Sequence, residues 1–150
     1  MKIRLAVMAS AVVLTTALTG TPASAAIIPC TQNNVDPPWG PVCDRRPTDG
    51  DAGGVSGSVR VEYLRNTKYH ASIRFEAKGE HIYFNNNTTT GATLALYMRD
   101  DLGSWRPYYK YALEAGGSEY VNAKLGEDRA VRLQVEVHGR GTAWLSTLRT

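Results

Sequence analysis

The chain has 150 residues, of which 43% are hydrophobic and 21% are charged, and its formal net charge is +3. This length suits one domain of ordinary size. Two of the 17 basic residues, Lys2 and Arg4, lie at the N-terminus, and the other 15 nearly balance the 14 acidic ones. A nucleic-acid-binding protein is expected to have a clear basic excess or a basic stripe, so this balance argues against that class.

Residues 1–25 have the composition of a secretory signal peptide. Lys2 and Arg4 precede an apolar run from Leu5 to Leu18, and residues 23–25 are Ala-Ser-Ala, which fits the small-x-small pattern of a cleavage site. The run is shorter than the ~20 residues of a membrane-spanning helix, although an uncleaved anchor is the alternative. We therefore predict cleavage after Ala25 and an extracellular protein.

The two cysteines, Cys30 and Cys43, closely follow the predicted cleavage site. In an exported chain, two cysteines most simply form one disulfide. The enclosed loop is stiff because its prolines restrict the backbone. We predict that the loop presents an aromatic anchor to a partner, although it could instead fold back and cap the domain. The predicted contacts are Asn33, Asn34, Val35, Asp36, Pro37, Pro38, Trp39, Gly40 and Pro41.

Residues 44–54 contain few apolar side chains and many turn-forming residues. This composition is typical of a linker. We therefore expect residues 26–54 to form an extended tail with a disulfide-closed loop, and residues 55–150 to form the folded domain.

From Val55 onward the hydrophobic pattern has a period of two. The predicted strands cover residues 59–63, 71–77, 81–84, 92–99, 105–113, 120–123, 131–138 and 142–148, and Pro107 marks an edge strand or a bulge. No helical period follows the signal. Short strands at near-regular spacing predict an all-β domain, an antiparallel, immunoglobulin-like β-sandwich of seven or eight strands.

The sequence contains no recognisable catalytic motif. His70, His81 and His138 lack the spacing of a zinc site, and we expect them to be surface residues. Asp100 and Asp101 could serve a glycosidase only if two carboxylates faced each other, and they are more simply turn residues. We therefore predict a non-enzymatic protein without a metal or other cofactor.

Two further patterns have both a functional and a structural interpretation. Residues 86–89, Asn-Asn-Thr-Thr, contain overlapping glycosylation acceptors but are more simply a turn. Alternation places Trp105, Tyr109 and Tyr111 on one side of a strand and Tyr108 on the other, so one of these sets must fill the core. With Tyr97 and Trp144, the exposed rings could form a sugar-binding face.

An exported β-sandwich preceded by a disulfide-looped, proline-rich tail resembles the small adaptor subunit of the secreted umbrella toxin particles of filamentous actinobacteria. The matching features are the tail, residues 26–54 with Cys30 and Cys43, and the sandwich, residues 55–150. The sandwich also resembles small exported actinobacterial proteins of unknown role, through residues 79–82 and 126–129. The resemblance implies that the tail inserts into the cleft of a trypsin-like, lectin-bearing subunit and that the protein joins it to a larger toxin subunit.

These observations predict a secreted adaptor that inserts the Cys30–Cys43 loop into a cleft of a partner protein. A protease inhibitor is the second hypothesis, although no Lys or Arg lies between the two cysteines to fit a trypsin-like protease. A carbohydrate- or envelope-binding module is the third, and it requires exposed, coplanar rings among Trp105, Tyr108 and Tyr111.

Overall fold

The computed structural model describes residues 25–150, so all but the last residue of the predicted signal peptide lies outside the described residues. This part of the chain contains strands, turns and bends but no helix. It accordingly has no helix long and apolar enough to cross a membrane. The strands are β1 (Ala26–Ile28), β2 (Gln32–Asn33), β3 (Trp39–Pro47), β4 (Val55–Tyr63), β5 (His70–Glu76), β6 (His81–Asn86), β7 (Ala92–Arg99), β8 (Trp105–Leu113), β9 (Ser118–Asn122), β10 (Ala130–Val137) and β11 (Gly141–Arg149).

The eleven strands of residues 25–150 belong to one antiparallel sheet, and eight of them follow one another in the order β8-β7-β10-β11-β4-β5-β6-β9. Strand β3 pairs with β4, β1 pairs with β3, and β2 pairs with β11. The two halves of the sheet join at a single register pair, Arg149 with Val55. The sheet curls until β10 contacts β4 and β5 across the core and β6 contacts β8, which gives a nearly barrel-like shape. The all-β prediction is confirmed, whereas the immunoglobulin-like sandwich is not.

The eight strands predicted after Val55 correspond to β4–β11. Their alternation also predicts the core. In β10, Val131, Leu133, Val135 and Val137 are fully buried, whereas the residues between them are more polar. Side chains on one face of a strand repeat every second residue, so this alternation identifies the face that is removed from water.

The predicted linker differs most from the structure. Residues 44–47 continue strand β3, which pairs with β4 from Trp39 opposite Tyr63 to Pro47 opposite Val55. Only residues 48–54 form the connecting turn. A separate, extended N-terminal tail is therefore not confirmed. The prolines and charged residues of this segment weaken the hydrophobic pattern from which a strand is predicted. The segment nevertheless pairs with β4, because a strand at this position needs only one buried face.

The disulfide joins Cys30 to Cys43. Cys43 lies in the middle of β3 and is 1% exposed, as part of the core cluster. Cys30 is half-buried and packs against the same core. The bridge therefore connects the loop to the centre of the domain and does not stiffen the loop alone.

A buried asparagine connects the β6–β7 loop to the segment that follows β8. Asn86 is fully buried, and its Nδ2 atom lies within 3.0 Å of the carbonyl oxygens of Thr90, Leu113 and Glu114. Its Oδ1 atom accepts hydrogen bonds from the backbone N–H and the hydroxyl of Thr88. Asn86 itself ends strand β6, and the chain bends only at residues 88–90, so the predicted turn starts after this residue. Its complete burial also makes Asn86 inaccessible as a glycosylation acceptor in the folded protein, whereas Asn87 is exposed.

Replacing both cysteines by alanine should lower the free energy of unfolding by about 3 kcal/mol, because the bridge closes a short loop and one end lies in the core. Denaturant unfolding followed by tryptophan fluorescence measures this loss. Wild-type protein under reducing conditions is the control that breaks the bridge without changing a side chain. An unchanged stability in both samples would show that the loop is independent of the domain.

Asn86→Ala should destabilise the protein by about 3 kcal/mol, because the carbonyls of Thr90, Leu113 and Glu114 and the buried Thr88 side chain lose their partner. Asn87→Ala is the matched control. Asn87 is exposed and donates one hydrogen bond, to Lys68 O at 2.6 Å, so its loss should cost less than about 1 kcal/mol. Equal effects of the two substitutions in thermal unfolding would contradict the role of Asn86.

Candidate functional site

The first part of the Cys30–Cys43 loop lies along strand β11. Thr31 N donates to Trp144 O at 2.8 Å, Asn34 N to Thr142 O at 3.0 Å, and Asp36 N to Arg140 O at 3.0 Å. The Asn34 side chain adds a bond, because its Oδ1 atom accepts from Thr142 N at 2.7 Å. The loop thus extends the sheet by the short strand β2, and the N–H groups of Thr31, Asn34 and Asp36 have backbone partners there.

The second part of the loop is held by the β4–β5 connection. Pro38 O accepts a hydrogen bond from Leu64 N at 2.9 Å, and Trp39 N donates to Asp36 O at 3.0 Å. Together with the disulfide, these contacts fix the loop on both sides. A loop held in this way loses little further conformational entropy when it binds.

The exposed part of the loop is smaller than the predicted contact set. Asn33, Asn34, Asp36, Pro37 and Pro38 are exposed. Val35 and Trp39 are half-buried and pack against the core. Gly40 is buried and Pro41 is half-buried.

Trp39 lies at the base of the loop. Its ring packs against Tyr63, with ring centroids 5.5 Å apart, and closes one end of the core. The structure therefore places this indole where it supports the loop, and the exposed apolar surface at this end comes from other residues.

Leu64 is the residue that sequence reasoning missed. It follows β4 directly and is 58% exposed. One of its methyl groups lies against Gly40, where a Cβ atom would come within 2.8 Å of it. We call Asp36, Pro37, Pro38 and Leu64 the proline tip. Tyr69, 43% exposed, lies at the same end of the domain. The polar turn at residues 65–68 concealed this signal, because only pairing of β3 with β4 brings Leu64 to the loop.

A β-bulge corrects the predicted side for Trp105. Leu96 pairs with Tyr109 but Tyr97 pairs with Pro107, so Tyr108 is the extra residue in β8. A one-residue insertion reverses the faces on its far side. Tyr109 and Tyr111 therefore pack against the core, whereas Trp105 lies on the outer face of the sheet. Pro107 occupies an edge strand beside the bulge, as its presence predicted.

The coplanar set Trp105, Tyr108 and Tyr111 does not form. Tyr111 meets Phe84 edge-on at 4.8 Å in the interior, and Tyr108 packs edge-on against Tyr109 at 5.2 Å. A different set surrounds Arg132, whose guanidinium lies 4.3 Å from the Trp105 ring centroid and 5.5 Å from that of Trp144.

We call Tyr97, Trp105, Arg132 and Trp144 the arginine cluster. The rings of Tyr97 and Trp144 are 5.6 Å apart, and Tyr97 donates from its hydroxyl to Gln134 Oε1 at 2.8 Å. Burial raises the pKa of Tyr97 and lowers that of Arg132. Both groups nevertheless keep their usual forms at neutral pH, so the cluster carries one positive charge among aromatic rings.

The predicted turn role of Asp100 is confirmed. Its carboxylate accepts from the N–H groups of Leu102 and Ser104 and from Arg106 Nε. The Ser104 N–H and Arg106 lower the pKa of Asp100, which is thus ionised at neutral pH. Its neighbour Asp101 instead lies 3.9 Å from Arg129. Asp100 therefore stabilises the β7–β8 turn through its hydrogen bonds.

The three histidines have separate partners. His81 Nδ1 lies 2.7 Å from the Tyr120 hydroxyl, His70 Nδ1 lies 3.0 Å from Thr67 O, and His138 Nε2 lies 3.2 Å from the Thr93 hydroxyl. Within residues 25–150, no three His, Cys, Asp or Glu residues are grouped so that they could hold a metal ion.

No protein-family model matches the chain, and no curated protein or solved structure is detectably similar to it.

Gly141 lets the loop approach β11. Its φ is +114°, and a Cβ atom there would lie 2.7 Å from Val35 Cα, against backbone that cannot move aside easily. Gly139, in the same hairpin, also has a positive φ, of +70°, but a Cβ would meet nothing within 4 Å.

Gly141→Ala should therefore release the loop from β11, whereas Gly139→Ala should cost only about 1 kcal/mol of backbone strain. Amide hydrogen exchange measures the difference at Asn34 and Asp36, whose N–H groups bond to β11 and the turn before it. Faster exchange is expected in Gly141→Ala alone. Unchanged exchange in that variant would show that the loop position does not depend on this contact.

Proposed function

We propose that the protein is a secreted, non-enzymatic adaptor that binds a partner protein through the Cys30–Cys43 loop. The observation that carries the proposal is the exposed proline tip, on a backbone fixed by a disulfide and by hydrogen bonds to β11 and to the β4–β5 connection. Exported proteins retain such disulfides, which supports an extracellular location.

The chemistry of the tip suits a cleft in a partner. Pro37, Pro38 and Leu64 offer apolar surface, and Asp36 adds one negative charge beside them. Interfaces derive most of their affinity from a few central apolar or aromatic anchors, surrounded by polar contacts. Leu64 and the prolines would be the anchors, with Asn33 and Asn34 in the polar rim, and Trp39 would hold the base of the loop.

The partner of this proposal is a cleft-bearing secreted protein, such as the trypsin-like, lectin-bearing subunit that the resemblance implies. A second, larger toxin subunit would bind elsewhere on the domain. The proposal includes an immunoglobulin-like sandwich as the scaffold, in which the two halves of the sheet, joined by the single pair Arg149–Val55, would be the two layers. A rigid scaffold that binds one partner at its end leaves its other surfaces free to bind a second partner.

Leu64→Asp should abolish partner binding without unfolding the domain, because Leu64 is 58% exposed and a buried charge in the interface has no counter-ion. The measurement is affinity capture of the tagged mature protein from medium of its source organism, quantified by mass spectrometry. Leu102→Asp is the matched control, because Leu102 is 89% exposed and lies in the β7–β8 turn, at the opposite end of the strands.

The proposal predicts a protein that is captured by wild type and Leu102→Asp at equal levels and is lost with Leu64→Asp. Equal capture by all three proteins would show that the proline tip is not part of the interface. A parallel assay of wild type against serine and cysteine proteases separates an adaptor from an inhibitor. If the wild-type protein inhibits a protease and the Leu64→Asp variant does not, the inhibitor hypothesis replaces the adaptor hypothesis.

A further inference from the structure

Within residues 25–150, the two arginines on the outer face of β7 and β10, Arg99 and Arg132, form no ion pair. Among residues 25–150, the ion-paired arginines are Arg60, Arg74, Arg106, Arg129 and Arg149. Arg99 in β7 and Arg132 in β10 are absent from that set. Their Nε atoms make hydrogen bonds to neutral groups, Gly103 O at 2.9 Å and Ser146 Oγ at 2.8 Å.

The two guanidinium groups repel each other. Tyr97 pairs with Arg132 across β7 and β10, so Arg99, two residues further along β7, lies on the same outer face. Burial and, to a smaller extent, the charge of Arg99 lower the pKa of Arg132. Glu136, the acidic residue on the same face of β10, is four residues from Arg132, or about 13 Å along the strand. A bound anion would relieve this repulsion.

The surroundings of Arg132 restrict the kind of anion. The indoles of Trp105 and Trp144 and the phenol of Tyr97 are half-buried on an open sheet face, which is unusual for three large rings on the side away from the core. Such rings bury the flat C–H faces of sugar rings. Gln134 and Ser146 beside them provide groups that hydrogen-bond to hydroxyls.

A carboxylate-bearing polysaccharide combines these features. Its carboxylates match the fork geometry of a guanidinium, and its sugar rings match the aromatic side chains. Nucleic acid is disfavoured, because binding many phosphates needs a larger basic surface than 15 basic residues against 14 acidic ones provide. A free phosphate ion would leave the three rings without a role.

We propose that the outer face of β7, β8, β10 and β11 is a binding site for an acidic polysaccharide, with Arg99 and Arg132 holding sugar carboxylates and Trp105 and Trp144 contacting sugar rings. This site is separate from the proline tip and does not depend on the adaptor function. It would attach the protein to a charged extracellular glycan.

The test uses the mature protein and polygalacturonate, with neutral dextran, poly-glutamate and inorganic phosphate as comparison probes. Titration is followed by intrinsic fluorescence, because Trp105 and Trp144 are two of the three tryptophans. Saturable binding of polygalacturonate, without comparable binding of dextran, poly-glutamate or phosphate, is the expected result. Equal affinity for poly-glutamate would assign the face to an acidic protein, and phosphate binding alone would reduce it to an anion site; either result would overturn the proposal.

Matched variants locate the site. Arg132→Gln and Arg99→Gln should each weaken binding by ~10-fold or more, because each removes a charge-assisted contact. Arg74→Gln is the control, because Arg74 stacks over Tyr83 at 4.3 Å, as Arg132 does over Trp105, and should leave the affinity unchanged. If Arg132→Gln unfolds, the exposed Arg99 still decides the question. Equal loss in all three variants would show nonspecific charge attraction and overturn the proposal.

Discussion

The pairing of β3 with β4 is the constraint on which the rest of the structure depends. Nine residues of β3 align with β4, and this register brings Cys43 into the core and Trp39 against Tyr63. The disulfide then fixes Cys30 beside the core, so the intervening chain must pass along β11. Without this pairing, β1 and β3 would have no fixed position, and Leu64 would have no neighbouring prolines.

The two proposed sites use different physics. The proline tip is a convex, mainly apolar surface whose backbone is already ordered, so its affinity would come from burial in a partner at little entropic cost. The arginine cluster is an open, aromatic sheet face with uncompensated positive charge, so its affinity would depend on charge pairing and on salt concentration. Their separation would allow simultaneous binding to a protein and to a glycan surface.

Sequence reasoning succeeded where hydrophobic alternation was regular and failed where pairing depended on distant residues. Strands β4–β11 and the inward residues of β10 were predicted because their period of two is clear. Strand β3 was not predicted, because its prolines and charged residues obscure the alternation. Its extended conformation depends on pairing with β4. The bulge at Tyr108 likewise changed the side of Trp105, although Pro107 indicated an irregularity.

The sequence by itself determined the all-β class, most of the core and the disulfide, because these follow from local alternation and from the presence of just two cysteines. The tertiary structure alone decided that the loop lies on β11, that Leu64 joins it, and that Trp105 and Trp144 surround Arg132. Those arrangements depend on strand register between residues far apart in the chain. A shift of one residue in register reverses every face, and no local pattern specifies it.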